Sequence, residues 1–207
     1  MAKEEHYYTK FEEGKFYHIY NRTIDKKTMF ANDGNNEFFL QKLRVYLLGV
    51  ADVYAYCLLD NHFHILIRIN ENMSNYRLVN QIEDTIDTHI IISKQFRVFF
   101  QSYALAFNKQ QNRFGTLFQT PFKRALVNDD DYFTHLIYYI HSNPQKHNLI
   151  GDFRNWKWSS YKGIISIKPS RLMKDEVIKW FGGEQEYLNF HHSGKYLLND
   201  NFIIDDF

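Results

Sequence analysis

The chain reads as a mixture of strands and helices holding an antiparallel hairpin, and three observations predict this. Residues 15–20 alternate apolar and polar at the period of a strand. Residues 53–59 and 62–69 are two apolar runs joined by Asp60-Asn61, a two-residue turn of the kind that links antiparallel strands. Between these two regions, Phe39, Leu40, Leu43, Tyr46, Leu47 and Val50 recur at helical spacing.

In chain order, the first strand runs over 15–20, and the polar residues 21–27 form a turn. Asn32-Asp33-Gly34-Asn35-Asn36 is a loop and helix-cap signal, because short polar side chains satisfy the free N–H groups of a helix start. A helix is expected over 37–50, then the hairpin. Residues 71–75 are polar loop. A long helical pattern covers 76–109, with a break expected near the β-branched residues of 88–93. Residues 112–116 are a glycine-containing turn. Pro121 argues against a central strand over 117–127, but 122–127 suits a short one. Asn128-Asp129-Asp130-Asp131 is an acidic helix start, favourable at the positive end of the helix dipole. The helix that follows, 132–143, is expected to stop at Pro144. Residues 156–161 form an aromatic segment expected to dock on the core. Beyond Pro169 the composition shifts, and two amphipathic helices are expected over 173–181 and 184–192, separated by Gly182-Gly183. The chain therefore divides into a main domain, 1–165, and a small helical C-terminal extension, 166–207.

Composition narrows the function classes. Of 207 residues, 44% are hydrophobic and 24% charged, as in ordinary globular proteins. The single cysteine, Cys57, excludes an internal disulfide framework and a cysteine-rich zinc site. Its place in an apolar strand predicts a buried structural thiol. No run of about 18 apolar residues is present, so no membrane span is expected, and the absence of a signal-peptide pattern points to a cytoplasmic protein. The net charge of +1 does not advertise nucleic-acid binding, and its distribution is more informative. Residues 93–128 hold no Asp or Glu, yet carry Lys94, Arg97, Lys109, Arg113, Lys123 and Arg124. Such a segment suits a confined phosphate track, and equally a solvated helix face.

Two groups of residues carry candidate chemistry. His62 and His64 sit at i and i+2, so on a strand they project to one face while Phe63 and Ile65 pack on the other. Paired neutral imidazoles offer half a metal site. Tyr139 and Asn143 sit at i and i+4, one turn apart on a helix face. A tyrosine hydroxyl can serve as a covalent nucleophile, and an asparagine amide oxygen can coordinate a hard cation. Spacing alone leaves open the reading of these residues as ordinary core and helix-end positions, and does not choose between Tyr139 and its neighbour Tyr138. His18, His135 and His141 read as structural.

These residues resemble a known family. Asn61-His62-Phe63-His64 resembles the HUH motif of single-tyrosine, insertion-sequence-200-like transposases. Tyr17-His18-Ile19-Tyr20-Asn21-Arg22 is similar to their opening strand, and Phe107-Asn108, Arg113-Phe114-Gly115-Thr116-Leu117-Phe118-Gln119 and Phe122-Lys123 to their middle signature. Tyr139-Ile140-His141-Ser142-Asn143-Pro144-Gln145-Lys146, with Trp158-Ser159-Ser160-Tyr161 after it, resembles the tyrosine helix of the REP-associated tyrosine transposase branch. The resemblance covers roughly residues 14–162, in the right order and spacing. One departure is Asp60, where the family commonly has proline.

The resemblance implies an α+β fold: a central antiparallel sheet of about four to five strands with helices packed on it, the ferredoxin-like-related HUH nuclease fold. It implies that Tyr139, rather than Tyr138, is the nucleophile, and that His62, His64 and Asn143 hold Mg²⁺ or Mn²⁺. The implied activity is cleavage and rejoining of single-stranded or hairpin DNA through a 5′-phosphotyrosine, as in DNA transposition or the processing of repeat hairpins. Lys109, Arg113, Lys123 and Arg124 are the expected phosphate contacts. Monomer and homodimer both occur among such proteins, and the sequence leaves that open. Two other readings compete: a domesticated DNA-binding protein that has kept the fold without turnover, and a metal-dependent hydrolase that uses water in place of tyrosine.

Overall fold

The structure, a computed structural model, describes residues 8–128 and 130–193. Its core is a four-stranded antiparallel sheet in the order β2-β3-β1-β4. The strands are β1 (Phe16–Arg22), β2 (Ala51–Leu58), β3 (His62–Ile69) and β4 (Lys123–Val127). Helix α1 (Asp33–Leu47) joins β1 to β2, and the short α2 (Ser74–Val79) and long α3 (Thr88–Gln110) join β3 to β4. Apart from the extra short helix, this β-α-β-β-α-β path and strand order is the ferredoxin-like arrangement. The fold is the expected α+β, and β3, which carries both motif histidines, is a central strand.

Local chemistry explains where the elements begin and end. The Asn32 side chain accepts a hydrogen bond from the Asn35 N–H at 3.1 Å, which starts α1 four residues earlier than the apolar spacing suggested. The helix then ends at Leu47, and Gly49 turns the chain with φ 78°, where a Cβ would lie 3.1 Å from the Tyr76 ring. The long helical pattern expected over 76–109 is two helices, and the break lies over 80–87 rather than 88–93. Asp87 caps the His89 N–H at 2.7 Å, so Thr88 and the three isoleucines behind it open α3. A good cap outweighs the modest helix propensity of β-branched residues. In the hairpin, the Asp60 carbonyl accepts from Met29 N–H at 2.7 Å and from the Thr28 hydroxyl at 3.0 Å. A backbone acceptor does this work, so aspartate in place of the family's usual proline leaves the brace intact.

The two faces of the sheet are covered differently. Tyr17, Ile19, Phe63, Ile65 and Ile67 face α1 and α3, where Phe39, Phe99, Phe100 and Tyr103 form a dense aromatic core. Edge-on pairs such as Phe39–Phe99, at 4.9 Å between centroids, each add about 0.5–1.5 kcal/mol beyond their area. The other face is covered by α4 (Asp130–Lys146) through Phe133, Leu136, Ile137 and Ile140. The acidic start expected at 128–131 falls partly outside the described residues. Pro144 lies inside α4 instead of stopping it. It is the third residue from the helix end, and beyond it His147 N–H still reaches the Asn143 carbonyl at 2.9 Å.

The aromatic segment docks as an extra ladder on the free edge of β2. Leu58 N–H donates to the Trp158 carbonyl and Ser160 N–H to the Tyr56 carbonyl, both at 2.9 Å. This covers an edge that would otherwise expose unpaired backbone groups. Helices α5 (Tyr161–Ile164), α6 (Lys174–Phe181) and α7 (Glu184–Ser193) follow. Val177 and Tyr187 are fully buried in the same cluster as Tyr54, Phe133 and Tyr161, so the described part of the C-terminal extension packs on the sheet and α4. No described helix is long and apolar enough to cross a membrane. Cys57 is buried, and burial pushes its thiol pKa well up, as a structural thiol requires.

A histidine relay ties α4 to α7. His191 Nδ1 donates to the Tyr187 carbonyl at 2.8 Å, so its Nε2 must accept from His141 Nδ1 at 3.0 Å. His141 Nε2 then accepts from the Ser160 hydroxyl at 2.8 Å. Burial, reinforced by each one's histidine neighbour, pushes His141 well below the usual range and His191 down to about 4. Both folded-state values lie below the unfolded value of about 6.5, so the unfolded chain binds more protons in between. Stability is therefore expected to be complete above about pH 6.5 and to fall as pH drops toward 4. The His191 shift alone is worth about 3 kcal/mol. Urea midpoints at pH 7 and pH 5 check this, and His191→Gln should flatten the difference; equal midpoints would remove the relay from acid sensitivity.

Candidate functional site

On the α4 face of the sheet, β1 contributes His18 and Tyr20 and β3 contributes His62 and His64. Tyr20 pairs with His64 and Arg22 with His62. His18 and His64 are fully buried, and His18 Nε2 lies 3.0 Å from His64 Nδ1. Asn61 fixes the ring of His62: its Nδ2 donates to the Lys26 carbonyl at 2.8 Å, which turns Oδ1 onto His62 Nδ1 at 2.7 Å. The His62 proton therefore sits on Nδ1, and Nε2 carries the lone pair. Burial holds the His64 pKa well below the usual range, with the nearby His18, His62, His147 and Lys146 acting in the same direction. His64 is thus a neutral imidazole at physiological pH, and its buried Nε2 makes no hydrogen bond.

Helix α4 brings the second group onto the first. The Tyr139 ring stands edge-on to His64 at 5.5 Å and to His18 at 6.2 Å between centroids. Lys146 places its ammonium 5.2 Å from the centre of the Tyr139 ring. Two turns after Tyr139, His147 meets His62 at 4.8 Å between centroids. Asn143 lies midway between these two contacts on the same helix face and is fully buried. Its Nδ2 donates to the Tyr139 carbonyl at 2.9 Å, leaving a buried Oδ1 with no hydrogen bond. Tyr138 points elsewhere, onto Phe153, Phe190 and His191 of the C-terminal layer. The structure thus gathers His62, His64, Tyr139 and Asn143, and it separates the two tyrosines that spacing could not.

These donors fit a divalent cation. His64 Nε2 and Asn143 Oδ1 are buried polar atoms without a hydrogen-bond partner, a condition that costs about 1–3 kcal/mol each and that coordination of a cation would offset. Among the described residues no group of three or more His, Cys, Asp or Glu is arranged to hold a metal ion. The candidate set is therefore two imidazoles and an amide.

The four expected phosphate contacts divide. Arg124 is half-buried and donates to the Thr9 and Tyr8 carbonyls at 2.7 and 3.2 Å, pinning the N-terminal segment to β4. Arg113 is tied to Asn108 and Thr116 of its own loop region and to Asp25 in the turn after β1. Lys109 is exposed in the last turn of α3. Lys123 lies with its Nζ 5.7 Å from the Tyr20 ring, on the site face. Lys123→Ala is accordingly expected to reduce the salt slope of DNA binding by about one, read from affinities at several salt concentrations. Arg124→Ala should instead lower the thermal midpoint; an unchanged midpoint would return it to the phosphate track.

Sequence reasoning missed two neighbours. His18 is the polar partner of His64, not only a structural ring. His147 was not singled out, because it falls just beyond α4 and its meeting with His62 depends on how that helix crosses the sheet.

Comparisons with known proteins bear on the family and the fold. No family model matches the chain. A provisionally named REP-associated tyrosine transposase of Haemophilus influenzae is 27% identical over 154 residues, covering 73% of this chain and 82% of that protein. The resemblance to REP-associated tyrosine transposases is borne out. A solved structure of a REP-associated tyrosine transposase bound to a REP hairpin superposes with a TM-score of 0.53 at 14% identity, covering 78% of this chain and 86% of that one. At that identity the match speaks for the tyrosine transposase fold, and the hairpin belongs to the neighbour.

Proposed function

We propose that the protein cleaves and rejoins single-stranded DNA, with Tyr139 as the nucleophile and a repeat hairpin as the substrate class. The observation that carries this is the meeting of Tyr139 with His64, beside the unpartnered Nε2 of His64 and Oδ1 of Asn143. His62, His64 and Asn143 would hold the cation. Mg²⁺ or Mn²⁺ bound there supplies positive charge that polarises a scissile phosphate. The Tyr139 oxygen attacks phosphorus and loses its proton, a P–O(Tyr139) bond forms, and the bond from phosphorus to the 3′ oxygen breaks. The leaving strand takes up a proton as a free 3′-OH, and the 5′-phosphate stays on the tyrosine. A later 3′-OH reverses the step with no external energy source, because the phosphodiester is conserved as a phosphotyrosine. Lys146, over the Tyr139 ring, favours the negative charge that develops there.

The burial of Tyr139, 2% exposed, favours a second reading in which the fold binds DNA without turnover. Incubation of a labelled hairpin carrying a single-stranded flank with the protein and Mn²⁺ separates the two. A covalent protein–DNA adduct supports the strand transferase. Binding with no adduct and no cleavage supports the binding protein, and cleavage without an adduct would assign a water-dependent hydrolase.

A further inference from the structure

We propose that Phe114 is a stacking platform for an unpaired base, at the mouth of a second DNA-binding groove on the opposite face of the sheet from Tyr139. The inference rests on the reading that the chain handles single-stranded DNA and adds a second hold on that strand. Phe114 is 90% exposed, the only exposed phenylalanine among the described residues. An unpacked ring on a slack loop would mean little, but this loop is braced on both sides. Arg113 N–H donates to the Asn108 carbonyl at 2.9 Å and its guanidinium to the Asn108 side chain at 3.0 Å. The Asn108 amide in turn donates to the Gly115 carbonyl at 2.8 Å. Asn112 and Gly115, with φ of 48° and 87°, make the tight bends that turn the chain between these ties. The residues before and after Phe114 are therefore fixed while its ring stands in solvent. A preorganised aromatic loses little freedom on binding, and every base offers it a π-face.

The surroundings suit a nucleic-acid strand. Beside the loop lies a cavity of about 580 Å³ lined by Arg97, Gln101, Leu105, Asn108 and Gln119, among others. Its walls combine apolar surface for bases with amides and a guanidinium for polar edges and phosphates. The whole segment 93–128 contributes no carboxylate. The one acid tied to the loop, Asp25, lies 3.5 Å from Arg113. The groove also reaches the candidate site. Gln119 N–H donates to the Arg22 carbonyl and Ile24 N–H to the Leu117 carbonyl, each at 2.9 Å, and Arg22 pairs with His62. The loop thus hangs from the sheet end that presents His62, so a strand leaving the site can pass over that end into the groove.

The test uses the full chain and an unstructured oligonucleotide with 2-aminopurine at successive positions, at fixed ionic strength. Phe114→Ala is expected to weaken binding by about 5- to 100-fold and to abolish fluorescence quenching at one position. Phe114→Trp is expected to restore both. Affinity within twofold of the parent, with quenching unchanged, would overturn the proposal. So would a change in oligomeric state by sedimentation without a change in DNA affinity, which would assign the ring to contact between copies. Quenching that depends on Phe114 in a protein that forms no adduct would support this inference while refuting cleavage. An adduct with Phe114 inert would do the reverse.

Discussion

Tyr139→Phe is expected to abolish the covalent protein–DNA adduct, with a loss on the order of a thousandfold or more, while the affinity for DNA changes little. The substitution removes one oxygen and keeps the ring that packs on His64 and His18 and lies under Lys146. The hydrogen bond from Asn143 goes to the Tyr139 backbone carbonyl, so it survives the change. These ring contacts and this bond are kept, and the hydroxyl is what the variant removes. Tyr138→Phe is the matched control, because Tyr138 packs against Phe153 and His191 on the other side of α4. Denaturing gels with end-labelled DNA read both variants. An adduct that persists in Tyr139→Phe, or vanishes only in Tyr138→Phe, would remove Tyr139 from the reaction.

What the sequence could reveal about this site depended on whether the information was local. Period-two spacing placed His62 and His64 on one face, and a two-residue turn placed them at the start of a strand. Period-four spacing placed Tyr139 and Asn143 on one helix face. The meeting of strand and helix is set by the packing of Leu136, Ile137 and Ile140 on the sheet, which no local pattern encodes, and the family resemblance supplied that link. The helix boundaries missed for a related reason. Asn32 and Asp87 act as caps through a single hydrogen bond each, and that bond decides the start more firmly than apolar spacing does. For Arg113 and Arg124 the sequence shows charge but not the carbonyls to which each guanidinium donates. Phe114 was legible only as part of a family signature, since the other phenylalanines among the described residues are buried or half-buried.

His64→Gln is expected to abolish cleavage, at least about a hundredfold, and to weaken DNA binding far less. The imidazole is fully buried, held by His18 on one nitrogen, and its other nitrogen has no partner. Glutamine keeps much of the volume and a polar group for His18, which makes it a gentler test than alanine at a buried site. His62→Ala is expected to act in the same direction with less risk to the fold, because His62 sits at the end of β3. His18→Phe should retain a ring stacked beside Tyr20 and remove the nitrogen that lies 3.0 Å from His64 Nδ1. Such outer partners are worth about 10- to 100-fold in metal affinity, so its Mn²⁺ affinity should lie between those of the parent and His64→Gln. Titration of Mn²⁺ into DNA-free protein reads this order directly, with thermal midpoints to confirm folding. If cleavage and DNA affinity fall together in every variant, the histidines hold the strand in place and not a cation. If Mn²⁺ affinity falls in the order His18→Phe, then His64→Gln, with DNA affinity intact, the unpartnered nitrogen of His64 is a metal ligand and His18 is the residue that aims it.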